Sequence, residues 1–428
     1  MKLDNFLKYS VPIFMALTVL RMFREMYWLY YATQLTLLLF ILIIVKELWQ
    51  KKLVLNKKTI QMFGIVILFP VWTALTAFWS LNPLTTFLKG VNFVFVVTGL
   101  FSALLLWVNY EDGNFFKLFL PANLLVVLTS IFSWLTGIPN DAWDIGHGLS
   151  FAGFFGHQNV MGMALMFTLP GVFGLLEDKK INLNNDNKST IIFEGESTAK
   201  TKISNQKYFF FLILSLNLFL IGITYTRSVI LSLFIGVIFY LFIAKAIKLL
   251  IGIGGLLTLV AILYFTITPV NQAIYKVASK HGWDILATRS ILWEPSYEAA
   301  KIGGVLGIGY GMSAPGIYVY GPEDLMKGQP NYYREKGNSA LAYIEETGLI
   351  GLILVFYFFS LWFYKLFKFR ENISIQILLS FTFAFIIQSN FEGWVGGGSP
   401  LLQLFIPVII YPMLIMVNRS ILLKSSVN

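Results

Sequence analysis

Twelve long apolar segments recur along this chain, and charged residues are nearly absent from their interiors. Continuous apolar runs are typical of membrane-spanning helices, whereas the strands of a membrane barrel alternate apolar with polar residues. The sequence therefore predicts an all-α, polytopic membrane protein of about 12 transmembrane helices. The predicted spans are residues 8–20, 28–46, 60–79, 90–108, 115–137, 158–176, 208–224, 228–247, 249–268, 347–364, 373–390 and 401–418.

The scarcity of charge excludes other classes of protein. Charged residues make up 13% of the chain, against about 25% in soluble domains. A disordered protein would need low hydrophobicity and high net charge. The absence of cysteine excludes disulfides, thiolate metal sites and cysteine nucleophiles, and three histidines argue against a histidine-built metal centre. We therefore expect no metal and no cofactor.

The distribution of Lys and Arg predicts the orientation of the spans. With a cytoplasmic N-terminus, 21 of the 32 basic residues fall on the inner side, including every short basic cluster. Both termini are therefore expected in the cytoplasm. The net charge of +10 indicates topology and anionic lipid rather than nucleic acid. No small-residue cleavage site follows the first apolar run, so it is predicted to be a retained helix.

The predicted organisation has three parts. Residues 1–268 hold the first nine spans and a polar cytoplasmic loop, 177–207, to which we assign no chemistry. Residues 269–338 form a large loop on the outer side, with a helix-like stretch over about 271–302 that ends at Gly303. Structured loops of this length are usually functional. Residues 339–428 hold the last three spans.

Two arginines of the outer side are candidates for phosphate binding. Arg227 lies in a short connection between spans, and Arg289 lies in the large outer loop. An arginine near a membrane needs a partner, and guanidinium groups bind phosphate oxygens in a bidentate manner. Two arginines from different elements would therefore suit a diphosphate. The alternative is a structural role, in which each snorkels at a helix end or pairs with a local carboxylate.

The three histidines, His147, His157 and His281, are also predicted on the outer side. His157 and Asn159 open the sixth span after a glycine-rich segment. They could contact a carbohydrate or a phosphate at a helix N-terminus, or simply cap the helix.

Three further features remain open in function. The segment from Gly307 to Gly311 is predicted to form a tight turn, because it lacks the context of a dinucleotide site or a potassium filter. Glu346 precedes the tenth span and could act as a general base or as the counter-ion of an outer arginine. Glu392, at the end of the eleventh span, has the same two interpretations.

In this order, these segments resemble the O-antigen ligase and polymerase superfamily of bacterial envelope polysaccharide synthesis. The resemblance covers most of the chain and is densest over 150–350. Its motifs are Gly156-His157-Gln158-Asn159, Thr226-Arg227-Ser228, the series Arg289, Trp293 and Gly307 to Gly311, and the series Asn338, Leu341, Glu346 and Gly348.

The resemblance implies a GT-C-like membrane enzyme of the bacterial cytoplasmic membrane. Such an enzyme takes glycan from an undecaprenyl-diphosphate carrier and transfers it to a lipid or glycan acceptor, as a metal-independent inverting glycosyltransferase. Membrane lipid is a further partner, and so is a chain-length regulator or a flippase. By resemblance the catalytic residues are Arg227, Arg289 and Glu346, and the substrate-binding residues are His157, Asn159, Trp293, Lys336 and Asn338.

One position departs from the family pattern. Ligases carry a histidine, proposed as the acceptor-activating base, immediately before the Asn of the last motif, whereas this chain has Gly337. Glu346, His157 or His281 would have to take that role, or the diphosphate leaving group would have to suffice. The departure favours a polymerase or a divergent member of the superfamily over a ligase.

Two functions from other classes remain as alternatives. A 12-helix transporter or flippase typically has charged residues at the membrane midplane in two related halves. Here the spans are nearly free of charge, the polar residues concentrate at the outer boundary, and no repeat is visible, which favours chemistry at the interface. A scaffold without activity is the other alternative.

Overall fold

The structure is a computed structural model that describes residues 3–24, 26, 28–53, 55–110, 115–139, 142–144, 150–175, 199–266, 287–317, 336–393 and 399–425. Thirteen α-helices lie in these ranges. They are α1 (Leu3–Leu20), α2 (Leu29–Trp49), α3 (Lys57–Leu75), α4 (Pro83–Tyr110), α5 (Phe115–Thr136), α6 (Gln158–Thr168), α7 (Ala199–Ile223), α8 (Arg227–Ile243), α9 (Ile247–Thr266), α10 (Ala287–Gly303), α11 (Ser339–Phe367), α12 (Ile373–Ser389) and α13 (Pro400–Ser425).

Short irregular elements complete the described chain. Three 3₁₀ segments span Thr76–Trp79, Gly153–Phe155 and Leu169–Leu175. Strands β1 (Trp143–Asp144) and β2 (Ser150–Phe151) pair antiparallel between α5 and α6. With two residues in each strand, this pairing does not alter the all-α class.

The predicted all-α, polytopic membrane architecture is confirmed. Each of the 12 predicted spans coincides with a helix, counting the 3₁₀ turns that extend α3 and α6. Among the described residues, seven helices are long and apolar enough to cross a membrane, and five shorter helices are also apolar. Helix α10 ends at Gly303, where the sequence predicts the end of the helix-like stretch. Helix α7 begins at Ala199, inside the segment 177–207 for which the sequence predicts a loop.

The interior of the bundle is apolar, and some of its buried polar side chains pair with each other. Phe167 of α6 stacks on Phe385 of α12 with ring centroids 4.2 Å apart. The side-chain amide of Asn123 donates to the side-chain carbonyl of Asn217 over 2.9 Å, and both residues are fully buried. This pairing is favourable because an unpaired polar group inside a membrane protein is costly.

Helix α11 is interrupted at Gly348, where φ is 72°. The segment 304–309, which follows α10, passes through the interruption. Two of its amides donate to the carbonyls of Glu345 and Glu346, over 2.9 and 3.0 Å, and one of its carbonyls accepts from the amide of Leu349. The interruption therefore joins α10 to α11 through main-chain hydrogen bonds that a continuous helix could not make.

The glycines of this crossing adopt backbone conformations that other residues rarely take. Gly307, Gly309 and Gly311 have φ values of 80°, 115° and 74°. Such angles suit glycine because it lacks a β-carbon. They agree with the tight turn that the sequence predicts for this segment.

Candidate functional site

The connections between helices meet at one end of the bundle. The hydroxyl of Thr226, which precedes α8, donates to the carbonyl of Gln158 in α6 over 3.1 Å. The guanidinium of Arg289 in α10 donates to the carbonyl of Phe391, which follows α12, over 2.6 Å. This end of the bundle therefore brings together residues that are far apart in the sequence.

Arg227 is held at this end because both of its neighbours are anchored. Thr226 is buried and bonds to α6, as described above. The side-chain amide of Gln388 in α12 donates to the hydroxyl of Ser228 over 3.2 Å. Arg227 itself is half-buried. Arg227 and Arg289 are two cations at the same end of the bundle, and such a pair forms a favourable environment for an anion.

The first turn of α6 presents His157 and Asn159. The Nδ1 atom of His157 accepts a hydrogen bond from the amide of Asn159 over 3.2 Å and so caps the helix. The capping interpretation of this segment thus has a structural basis, with histidine as the cap. Since Nδ1 accepts, a neutral His157 carries its proton on Nε2. The side chain of Asn159 is left to make a different contact.

Glu392 is the partner of that side chain. Its Oε1 atom accepts from the side-chain amide of Asn159 over 2.9 Å and from the Nη2 atom of Arg289 over 3.0 Å. The ion pair of Arg289 and Glu392 is largely buried, with side-chain exposures of 19% and 13%. We call Arg227, Arg289, Glu392 and Asn159 the arginine site. The contacts of Glu392 join α6 and α10 to the segment that follows α12, and Arg227 lies at the same end of the bundle.

Trp293 fixes α10 beside the arginine site. Its indole N–H donates to the carbonyl of Gly337 over 3.2 Å, and its ring centroid lies 6.0 Å from that of Phe391. Gly337 also packs on α10, because a β-carbon at this position would lie 2.5 Å from the β-carbon of Leu292. The place where ligases carry a histidine side chain is thus filled by α10.

Asn338 caps α11 and connects it to the end of α12. Its Oδ1 atom accepts from the amide of Leu341 over 3.0 Å, and its Nδ2 atom donates to the carbonyl of Asn390 over 3.1 Å. The Asn-x-x-Leu spacing of the last motif therefore corresponds to an N-cap and the residue three positions later. Its final element, Glu-x-Gly, contains the glycine at which α11 is interrupted.

A second polar group, which we call the lysine cluster, consists of Lys89, Lys336, Glu345 and Glu346. The ammonium of Lys336 hydrogen-bonds to Oε1 of Glu346 and lies 3.4 Å from a carboxylate oxygen of Glu345. Two main-chain amides of the segment 311–314 donate to these carboxylates, each over 2.7 Å, and a carbonyl of the same segment accepts from Lys89 over 2.8 Å. The cluster therefore fixes the segment 311–314 against α4 and α11.

The sequence-predicted residues fall into these two regions. Six of them lie at or beside the arginine site, namely Arg227, Arg289, His157, Asn159, Trp293 and Asn338, whereas Lys336 and Glu346 lie in the lysine cluster. Lys336 is 5% exposed and Glu346 is 7% exposed. Both oxygens of the Glu346 carboxylate accept hydrogen bonds, from the amide of Gly311 and from the ammonium of Lys336.

Two charged residues at this end are not among the site residues predicted from the sequence. Glu392 has two open interpretations there, but nothing in the sequence links it to Arg289, which is 103 positions away. Arg24 precedes α2, and a β-carbon on Gly156 would lie 3.4 Å from its side chain. The one sequence signal for either residue is charge at the predicted outer end of a span.

Two of the predicted outer histidines, His147 and His281, lie outside the described residues. Within the described ranges, no three His, Asp or Glu side chains converge as metal ligands would.

Comparison with known families finds a match for part of this arrangement. Residues 209–356 match the family described as O-Antigen ligase. We call this range the matched domain. This finding supports the resemblance to the O-antigen ligase and polymerase superfamily, and it indicates a glycosyltransferase-like ligase or polymerase in a membrane. No curated protein matches the chain.

The matched domain contains part of the arginine site and most of the lysine cluster. Arg227, Arg289 and Glu346 lie within residues 209–356. Asn159 precedes the domain and Glu392 follows it, so the arginine site is completed by residues from both flanks. The residues of the matched domain alone therefore do not form the complete arginine site.

Proposed function

We propose that this protein transfers glycan from an undecaprenyl-diphosphate-linked donor at the outer face of the cytoplasmic membrane, as a polysaccharide polymerase. The observation that carries the proposal is that Arg289 is held at one end of the bundle by Glu392 and the carbonyl of Phe391, and that the anchored neighbours of Arg227 place it at the same end. The diphosphate of such a donor is dianionic, with two tetrahedral phosphate groups, and two guanidinium groups can bind it in a bidentate manner.

In this mechanism the arginines stabilise the departing carrier. The acceptor hydroxyl attacks the anomeric carbon of the donor sugar from the side opposite the diphosphate, so that the configuration inverts. Negative charge then accumulates on the diphosphate, and Arg227 and Arg289 neutralise it without a metal ion. Fixed donors directed at developing charge are usually the largest contribution to such a reaction.

Other residues of the site would bind and orient the glycan. The Nε2 atom of His157 and the indole ring of Trp293 lie beside the arginine site and are partly or fully exposed, as a contact with sugar requires. Asn159 and Asn338 hold the segment around Glu392 in place through their side-chain amides. We assign Lys336 and Glu346 the role of fixing the segment 311–314.

The packing at Gly337 supports a polymerase over an O-antigen ligase. A histidine at this position, which would activate the acceptor in a ligase, has no room beside Leu292. A ligase that transfers glycan to lipid A core or to another acceptor remains the alternative.

The proposed orientation places the arginine site outside the cell. The opposite end of the bundle carries the pair of Lys245 and Glu371, 3.2 Å apart, and the short basic clusters that the positive-inside rule assigns to the cytoplasm. Undecaprenyl-diphosphate carriers present finished repeat units at the outer face. A flippase would supply them, and a chain-length regulator is a further partner of a polymerase.

Deletion of the gene tests this proposal. A polymerase mutant should accumulate carrier lipids that bear one repeat unit, because export continues while joining stops. A ligase mutant should instead accumulate long chains on the carrier. Mass spectrometry of extracted lipid-linked glycans separates these results, and unchanged envelope glycans would exclude both activities.

Alanine variants of the two arginines test the site in the same cells. Arg227→Ala and Arg289→Ala should each reproduce the deletion, since loss of one charge-stabilising donor typically lowers a rate by about 10²–10³-fold. Arg370→Ala is the matched control, because Arg370 follows α11 at the opposite end, where it lies over the ring of Phe367. Normal polysaccharide from both site variants would refute the assignment.

A further inference from the structure

Glu392 occupies the position from which a carboxylate can respond to donor binding. Its Oε1 atom contacts Arg289 and Asn159, over 3.0 and 2.9 Å, and Arg289 is the proposed ligand of the donor diphosphate. A diphosphate and Glu392 would compete for the same guanidinium, because each is an anion that pairs with it. Donor binding at Arg289 would therefore release the carboxylate of Glu392.

The backbone that carries Glu392 is fixed independently of its carboxylate. The hydroxyl of Ser339 donates to the carbonyl of Glu392 over 3.0 Å. Asn338 donates to the carbonyl of Asn390, and Arg289 donates to that of Phe391, over 3.1 and 2.6 Å. A carboxylate released from Arg289 would thus stay at the site, held through its own main chain.

We propose that Glu392 is the general base that activates the acceptor, and that it becomes available when the donor diphosphate replaces it at Arg289. This inference rests on the proposed function. The acceptor hydroxyl gives its proton to the carboxylate of Glu392 while its oxygen bonds to the anomeric carbon. The bond from that carbon to the diphosphate oxygen breaks, and its electron pair leaves with the undecaprenyl diphosphate. The protonated Glu392 then returns its proton to solvent.

The other candidate bases are less suited by their contacts. Glu346 accepts hydrogen bonds on both oxygens, from Lys336 and from the amide of Gly311, inside the lysine cluster. His157 accepts the Asn159 amide on Nδ1, so the remaining ring nitrogen of the neutral form donates rather than accepts. Of these three groups, Glu392 is the one that pairs with Arg289, the proposed ligand of the donor diphosphate.

The charged groups around Glu392 define what a pH titration would report. Arg289 of α10 pairs with Glu392, and Arg227 lies at the same end of the bundle, at the start of α8. His157 caps α6 beside Asn159, and Lys336 precedes α11 with its ammonium directed at Glu345 and Glu346. Titration of a carboxylate base would appear as a fall of the rate toward acid pH.

Glu392→Gln separates the base from the arginine contact. The experiment uses the full chain in lipid nanodiscs, with undecaprenyl diphosphate as the binding probe and lipid-linked oligosaccharide from the producing cells as the donor. We expect kcat to fall by about 10²–10⁴-fold, the usual contribution of a general base. We also expect tighter binding of undecaprenyl diphosphate, because a neutral amide competes less for Arg289, and loss of the acid limb of the pH–rate profile.

Matched variants make the result specific. Glu371→Gln should leave kcat and binding unchanged, since Glu371 pairs with Lys245 at the opposite end of the bundle. Glu392→Asp should keep the acid limb at a reduced kcat, because it retains a carboxylate. This variant also carries the test if Glu392→Gln does not fold, and an Asp variant without an acid limb would then overturn the proposal.

The outcomes distinguish this inference from the proposed function. Full kcat in Glu392→Gln, or binding that weakens together with thermal stability, would overturn the base role. If Arg227→Ala and Arg289→Ala then still abolish binding and transfer, the proposed function stands without Glu392 as its base. Normal transfer by both arginine variants would instead refute the proposed function itself.

Discussion

Gly337 packs against Leu292 so closely that a β-carbon at position 337 would lie 2.5 Å from the β-carbon of Leu292. The same glycine accepts the indole N–H of Trp293 on its carbonyl. Helix α10 therefore lies directly on the segment that precedes α11. Glycine at this position therefore removes the histidine of the ligase pattern and also allows α10 to pack closely on the segment.

Gly337→His should accordingly impair the protein instead of restoring a ligase base. The side chain would push α10 away from the segment 336–338, and overpacking of this kind typically costs about 1–3 kcal/mol. Thermal unfolding of the purified protein measures the loss, with Gly64→Ala as a control because a β-carbon at that position would have nothing within 4 Å. A stable Gly337→His variant with raised transfer to lipid A core would contradict this prediction.

Gly348→Ala should be among the most harmful single substitutions in the spans. Gly348 has φ of 72°, and a β-carbon would collide with the carbonyl of Val305. With ψ of −179°, this backbone conformation is essentially restricted to glycine and costs about 1–3 kcal/mol for another residue. Expression of folded protein, measured by size-exclusion chromatography of a fluorescent fusion, should fall strongly. Gly222→Ala, at an open position of α7, is the control, and equal yields of the two variants would argue against the importance of the interruption.

The helices can be predicted from the sequence, but only part of the arginine site can. Apolar runs give the spans because a membrane requires about 20 apolar residues for each crossing helix. Arg227 and Arg289 stand out because few charges remain once topology is accounted for. The pairing of Arg289 with Glu392 cannot be predicted, since it depends on how α10 and α12 pack across more than 100 positions.

Lys336 is a second residue that the sequence identifies without identifying its partner. By resemblance Lys336 is predicted to contact the substrate, and Glu346 is predicted to be a general base or the counter-ion of an outer arginine. The structure instead pairs the two residues with each other. The sequence motifs identify residues of the lysine cluster, whereas their pairing depends on the three-dimensional packing of the chain.

Asn338→Asp and Asn338→Ala should have different effects on stability. Aspartate keeps the oxygen that accepts from the Leu341 amide, whereas alanine removes the cap, at a typical cost of about 1 kcal/mol. Both variants lose the bond from Nδ2 to the carbonyl of Asn390. We therefore expect Asn338→Ala to unfold at the lower temperature and both variants to show reduced transfer. Equal unfolding temperatures would indicate that the cap contributes little.

Substitutions at the buried pair of Lys336 and Glu346 should have non-additive effects on the free energy of unfolding. Lys336→Met leaves Glu345 and Glu346 without their cation in a buried site, and breaking such a pair typically costs about 3–5 kcal/mol. Adding Glu346→Gln removes one of the two uncompensated charges. The double variant should therefore be more stable than the sum of the single effects predicts, as measured by unfolding in a double-mutant cycle. Additive losses would mean that the two side chains act independently, and a folded Lys336→Met variant that has lost donor binding alone would return Lys336 to the substrate site.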